Sequence, residues 1–124
     1  MIYLSSVTYT YNKPSFKGTT MNNRLEKDAV KTIYDYVESK ISSKDFDNKF
    51  DGIIKDINKN KVTVDRWLQL LICDFRITND VRAMEDLNYI SHSQLSYRLM
   101  KGLQTLRDNN QYRDIIEHDY SKYL

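Results

Sequence analysis

Between residues 91 and 107 the chain places Ser93, Gln94, Tyr97, Arg98 and Lys101 within ten residues, followed by Arg107, and no Asp or Glu occurs from 87 to 107. Amide, hydroxyl and cationic side chains in this density are suited to reading base edges and neutralising phosphates, the two tasks of a protein that binds duplex DNA. Gln94 can pair with adenine, Lys101 with guanine or a phosphate, and Tyr97 with a phosphate or a thymine methyl. Arg98 and Arg107 can supply the sequence-independent, salt-sensitive part of affinity.

Such a constellation needs a helix to hold it. Ser91 with Gln94 three residues on is a capping-box pair, so a helix is predicted to start just after Ser91. Leu95, Leu99, Leu103 and Leu106 then fall on one side at helical spacing, which leaves Ser93, Gln94, Tyr97, Lys101 and Gln104 on the other, flanked by Arg98 and Thr105. A leucine stripe of this kind is also what an ordinary packing helix shows, and a polar outer face is by default a solvated one.

Upstream, a short helix over about 79–87, starting after Thr78 as its cap and facing Val81, Met84 and Leu87 inward, is followed by a turn near Asn88. With the helix that follows Ser91, it makes a helix-turn-helix over 79–107, in which the second helix meets the major groove and the first braces it. The run Ile90-Ser91-His92-Ser93-Gln94-Leu95, closing on Lys101-Gly102-Leu103-Gln104-Thr105-Leu106-Arg107, resembles the region-four helix-turn-helix of bacterial sigma factors and of small sigma-like regulators of phages and integrative elements. The likeness spans about 80–107. Nothing before it matches the promoter-melting part of a sigma factor, so it implies a regulator and not a full sigma factor.

The rest of the chain reads as helices that build a core. Leu25, Ala29, Ile33, Val37 and Ile41 predict a helix over about 23–41. Ser42 and Asp45 cap one over 43–58 that buries Phe46, Phe50, Ile53, Ile54 and Ile57. Asn58-Lys59-Asn60-Lys61 breaks that pattern, and Thr63 caps a helix over about 64–76 with Trp67, Leu68, Leu71, Ile72 and Phe75 on one side. A last helical piece over about 110–123 presents Tyr112, Ile115, Ile116 and Tyr120. At the N-terminus Val7, Tyr9 and Tyr11 alternate with Ser6, Thr8 and Thr10 as in a strand, and Pro14 and Gly18 mark a linker. The expected architecture is all-α: a compact domain of five to six helices over 23–124, preceded by a β-like arm and linker over 1–22.

Composition bounds the function. At 124 residues with a net charge of +2 the chain has the size of one domain and is only mildly basic, so charge alone does not establish nucleic-acid binding. Its single cysteine, Cys73, among Leu70, Leu71, Ile72 and Phe75, reads as a structural thiol. One cysteine leaves no intrachain disulfide and no thiolate metal cluster, which fits a reducing, cytoplasmic setting. Signal-peptide layout and a run of about 18 apolar residues are both missing, so no membrane partner is expected. His92 and His118 have no ligand-spaced neighbours. Asp45/Asp47 and Glu85/Asp86 sit on polar faces, and Gly18, Gly52 and Gly102 are too scattered for a phosphate loop. No enzyme, metal or cofactor is expected.

Ten tyrosines open a second class of function. Tyr3, Tyr9 and Tyr11 crowd the arm, and Tyr is enriched at interface hot spots. The arm must pair with a second copy, fold back as a hairpin or remain extended, and self-association or protein docking is its expected use. Two readings follow: a sequence-specific double-stranded DNA-binding regulator of a phage or mobile element, working as a homodimer, or a non-catalytic helical protein of such an element that binds and inhibits a host or rival protein. The excess of Lys, Asn, Asp, Ile and Tyr over Gly and Pro fits the AT-rich genome of such an element.

Overall fold

The structure is a computed structural model and describes residues 19–79 and 91–124. Within them the chain forms four α-helices: α1 (Thr19–Val37), α2 (Ser43–Lys59), α3 (Arg66–Thr78) and α4 (His92–Asp108). A short 3-10 turn, Ser121–Tyr123, follows. The described residues are helical and irregular, without strands. The arm with Tyr3, Tyr9 and Tyr11, the short helix expected over 79–87 from residue 80 on, and the turn near Asn88 lie outside the described residues.

α1 packs on α2 and on α4, and α3 packs on α4, so α1 and α4 form the middle of the assembly. Leu25, Ala29, Val30, Ile33 and Tyr34 are buried on α1, Phe46, Phe50, Ile54 and Ile57 on α2, Leu68, Leu71, Ile72 and Phe75 on α3, and Leu95, Leu99, Leu103 and Leu106 on α4. An aromatic group ties three helices together. Phe46 stacks on Tyr36 of α1 at 4.4 Å between ring centroids and on Phe50 at 5.2 Å, and Phe75 of α3 meets Phe50 edge-on at 4.9 Å. Such edge-to-face and offset pairs add directional preference to the area they bury.

Two helix starts follow their caps. Ser42 Oγ accepts from the Asp45 backbone N–H at 3.1 Å. At α4, Ser91 Oγ accepts from the Gln94 N–H at 3.2 Å while Gln94 Oε1 accepts from the Ser91 N–H at 2.9 Å, the reciprocal arrangement of a capping box.

Other boundaries differ from expectation. α1 begins at Thr19, ahead of about 23, and stops at Val37, short of 41. It ends because Ser39 takes a φ of 61°, letting Lys40 N–H reach back to the Asp35 carbonyl at 2.7 Å and Ser39 N–H to Tyr36 at 3.0 Å. Lys61 at φ 51° and Asn110 at φ 60° close α2 and α4 in the same way. Val62 N–H bonds Ile57 and Gln111 N–H bonds Leu106. This left-handed close usually employs glycine, and here Ser, Lys and Asn occupy it.

α3 begins at Arg66 with Asp65, not Thr63, at the cap position. Residues 62–65 are non-helical, and Val62 and Val64 are both buried there. Two β-branched side chains two positions apart reach one core from a single extended face, which a helix would deny them. Thr78, expected as the cap of the following helix, is the last residue of α3, its hydroxyl donating to the Asp74 carbonyl at 2.9 Å.

The segment over 110–123 is not a helix. It runs in turns to the short Ser121–Tyr123 turn, because Asn110 and Tyr112 (φ 56°) both take left-handed backbone, which cannot propagate a right-handed helix. It still delivers Ile116 and Tyr120 to the core. The Tyr112 hydroxyl donates to Glu26 Oε1 at 2.9 Å and the Tyr120 hydroxyl to Glu38 Oε2 at 2.5 Å. Burial, and then those carboxylates, push both phenols well above the usual tyrosine range.

Glu26 joins three parts of the fold, since its Oε2 also accepts the Asp65 N–H at 3.1 Å, next to the start of α3. Burial, and then the Asp65 charge, raise its pKa above the ordinary 4.5, and the two hydrogen bonds oppose this less strongly. A carboxyl whose folded pKa is raised contributes stability that is fully present below its unfolded value and lost as pH rises through the folded one. Glu26→Gln can keep both bonds, its amide oxygen accepting from Asp65 and its NH2 donating to Tyr112, without the buried charge. We therefore expect Glu26→Gln to match or exceed the native protein in urea denaturation at pH 7, with the difference closing as pH falls toward 4. A native protein more stable than Glu26→Gln at pH 7 contradicts this.

Candidate nucleic-acid interface

α4 is positioned by its leucine stripe and by one close approach. Gly102 lies against Leu71 of α3, where an added Cβ would sit 3.2 Å from Leu71 Cδ1. The helices therefore meet with little between them, and the opposite side of α4 is turned outward. Ser93, Gln94, Tyr97, Arg98, Lys101 and Thr105 are all exposed.

The six predicted contact residues do not have equal freedom. Ser93 and Lys101 are exposed, and Tyr97 keeps 48% of its surface. The amide oxygen of Gln94 is engaged in the cap. Arg98 reaches across to α3, its Nη1 2.8 Å from Asp74 Oδ1, with side-chain exposures of 48% for Arg98 and 19% for Asp74. Arg107 stands apart from the others: it is half-buried, and its Nη1 donates to the Ile116 carbonyl at 2.8 Å, holding the C-terminal segment against α4. The first three turns of α4 thus bring five of the six residues together, and the sixth serves the fold.

Gln104, expected on the solvent face, is only 5% exposed. Its Oε1 accepts from the Tyr120 N–H at 2.6 Å and its Nε2 donates to Asp108 Oδ1 at 2.9 Å. The C-terminal segment covers the position that a helical projection of α4 alone leaves open. Tyr120 in turn stacks on half-exposed His118 at 4.7 Å, and Cys73 is half-buried.

Charge is distributed unevenly over the helices. α3 and α4 carry Arg66, Arg76, Arg98, Lys101 and Arg107 against Asp74 and Asp108, whereas Lys, Arg, Asp and Glu balance within α1 and within α2. Asp74 is covered by Arg98 and Asp108 is bonded by Gln104. The basic excess among the described helices therefore lies in the α3–α4 pair, the layer that carries the exposed polar face.

Sequence reasoning did not find Asp74 or Leu70. Asp74 is 24 residues from its partner, and only the packing of α3 on α4 pairs them. Leu70 is 53% exposed, and its place off the Trp67, Leu68, Leu71, Ile72, Phe75 stripe was the available signal. Elsewhere, an open groove of about 470 Å³ between α1 and α2 is lined by Lys31, Lys49, Asp28 and Asp56 around Gly52 and Ile53. Among the described residues no three His, Cys, Asp or Glu side chains gather as a metal site requires, and no helix is long and apolar enough to cross a membrane. Comparison with known proteins finds no matching family model, curated protein or solved structure.

Proposed function

We propose that the chain is a small double-stranded DNA-binding regulator of a phage or mobile element, in which the first three turns of α4 read the major groove. The observation that carries this reading is the exposed face Ser93, Gln94, Tyr97, Arg98 and Lys101 on the basic α3–α4 pair. Its resemblance to sigma region four over about 80–107 points the same way. Gln94 and Tyr97 would contact base edges, while Arg98 and Lys101 would face phosphates. Because Arg107 is occupied by the Ile116 carbonyl, the phosphate contacts per protomer are few. The logarithm of affinity should therefore fall with the logarithm of salt with a slope of about −1.8 per protomer and about −3.6 for a homodimer, at roughly −0.9 per phosphate. Homodimerisation through the tyrosine-bearing arm would place two such helices one turn of DNA apart.

The test is fluorescence anisotropy with random and promoter-derived duplexes at 50 and 200 mM salt. Binding at low salt that is lost at least tenfold in a combined Gln94→Ala, Tyr97→Ala, Lys101→Ala variant supports the proposal. Affinity indifferent to these changes, or no binding at 50 mM, refutes it.

A second reading, a non-catalytic protein that binds a host or rival protein, is favoured by a different observation. Leu70 at 53% and Tyr97 at 48% are the most exposed large apolar side chains on α3 and α4, and tyrosine is among the residues that anchor protein interfaces. In that case Leu70→Asp would abolish complex formation and leave any DNA affinity unchanged.

A further inference from the structure

Among the described residues, the Arg98–Asp74 pair sets a carboxylate beside the proposed contact face, and its geometry is asymmetric. Asp74 is the more buried partner at 19% side-chain exposure, held on α3, and Arg98 is the more exposed one at 48%, reaching from α4 with a single Nη1 to Oδ1 contact of 2.8 Å. A guanidinium has five donors in a rigid fork, so one contact to Asp74 leaves donors available to a further acceptor. Asp74 offers that guanidinium an anionic oxygen of the same kind that a phosphate would bring. We infer that Asp74 is an internal competitor for DNA phosphate at Arg98, lowering the affinity of α4 for any duplex. This rests on the reading of α4 as a DNA-contacting helix.

Two effects of Asp74 oppose each other. It pre-orders the Arg98 side chain, which favours binding, and it sets a negative charge beside an incoming phosphate, which disfavours it. Ordering one exposed arginine is a small term, because exposed ion pairs are weak and screened. The repulsion is larger, since it acts between a poorly solvated carboxylate and a phosphate at the same guanidinium. The carboxylate also holds Arg98 partly neutralised, which reduces the counterion release it can contribute.

The experiment is a double-mutant cycle on DNA affinity and its salt slope with Asp74→Asn, Arg98→Ala and the pair, in the full chain. Circular dichroism and melting temperature confirm that each variant is folded, and Asp74→Ala serves if Asp74→Asn is not. Asp74→Asn is expected to tighten duplex binding about 3- to 10-fold at 50 mM salt and to steepen the salt slope by up to about one unit per protomer, the share of the Arg98 phosphate contact that Asp74 contests in the native protein. Arg98→Ala in the Asp74→Asn background should erase that gain, while in the native background it should change affinity no more than about threefold. If the native protein binds DNA but Asp74→Asn is unchanged or weaker, or its gain survives Arg98→Ala, Asp74 is not a competitor and the DNA reading stands. If neither the native protein nor Asp74→Asn binds any duplex, both proposals are overturned.

Discussion

Replacing Phe50 by Ala is expected to lower the free energy of unfolding by about 3–5 kcal/mol, the range for large aromatic-to-alanine changes in a packed core. Phe50 is fully buried, and its ring lies between Phe46 at 5.2 Å and Phe75 at 4.9 Å. It therefore joins α2 to α3, and its loss removes apolar burial on both sides of one cavity. Folded domains of this size are stable by about 5–15 kcal/mol, so the variant should lie close to its unfolding transition at 37 °C. Phe50→Leu, which keeps most of the volume, should lose much less. Urea denaturation followed by far-UV circular dichroism measures both. A loss below about 1 kcal/mol for Phe50→Ala contradicts a core centred on this aromatic group.

Tyr120→Ala is the second change with a large expected effect, and for a different reason. Tyr120 is buried although no regular helix carries it, and it is held at both ends: its N–H donates to Gln104 on α4 and its hydroxyl to Glu38 beyond α1. Truncation to Ala removes the ring from the core, about 3–5 kcal/mol on the same scale, and leaves Glu38 without its phenol donor. Tyr120→Phe keeps the ring and the backbone bond and loses only the hydroxyl, about 1 kcal/mol. Thermal unfolding should separate the two variants clearly, and amide exchange over 112–123 should accelerate far more in Tyr120→Ala. Equal stability of the two would mean that the segment is not packed as described.

What the sequence made legible is what short-range chemistry decides. The starts of α2 and α4 lie in the Ser42–Asp45 and Ser91–Gln94 pairs, each within one turn, and the leucines of α4 are buried as their spacing requires. Thr63 and Asp65 are both of cap-forming type, and Asp65 takes the position without a side-chain cap bond. Burial of Val62 and Val64 on an extended segment, a tertiary effect, selects Asp65.

The same limit explains the C-terminal segment and Gln104. Tyr112, Ile115, Ile116 and Tyr120 fit a helical period, yet Asn110 and Tyr112 turn the chain so that the tyrosines reach Glu26 and Glu38, 86 and 82 residues away. Gln104 is polar and lies across α4 from Gly102, so a helical projection leaves it in solvent until a distant segment covers it. In the candidate site, the residue types on α4 were legible, but the Asp74 partner of Arg98 and the diversion of Arg107 to Ile116 depend on contacts between elements.

Chemical-shift mapping of amides in the full chain during titration with a duplex at low salt tests the DNA reading most directly. Perturbations concentrated at 91–101, with the Lys101 and Tyr97 side chains among the most affected and α1 and α2 silent, are the predicted result. Absence of any perturbation, or perturbations confined to α1 and α2, would contradict it.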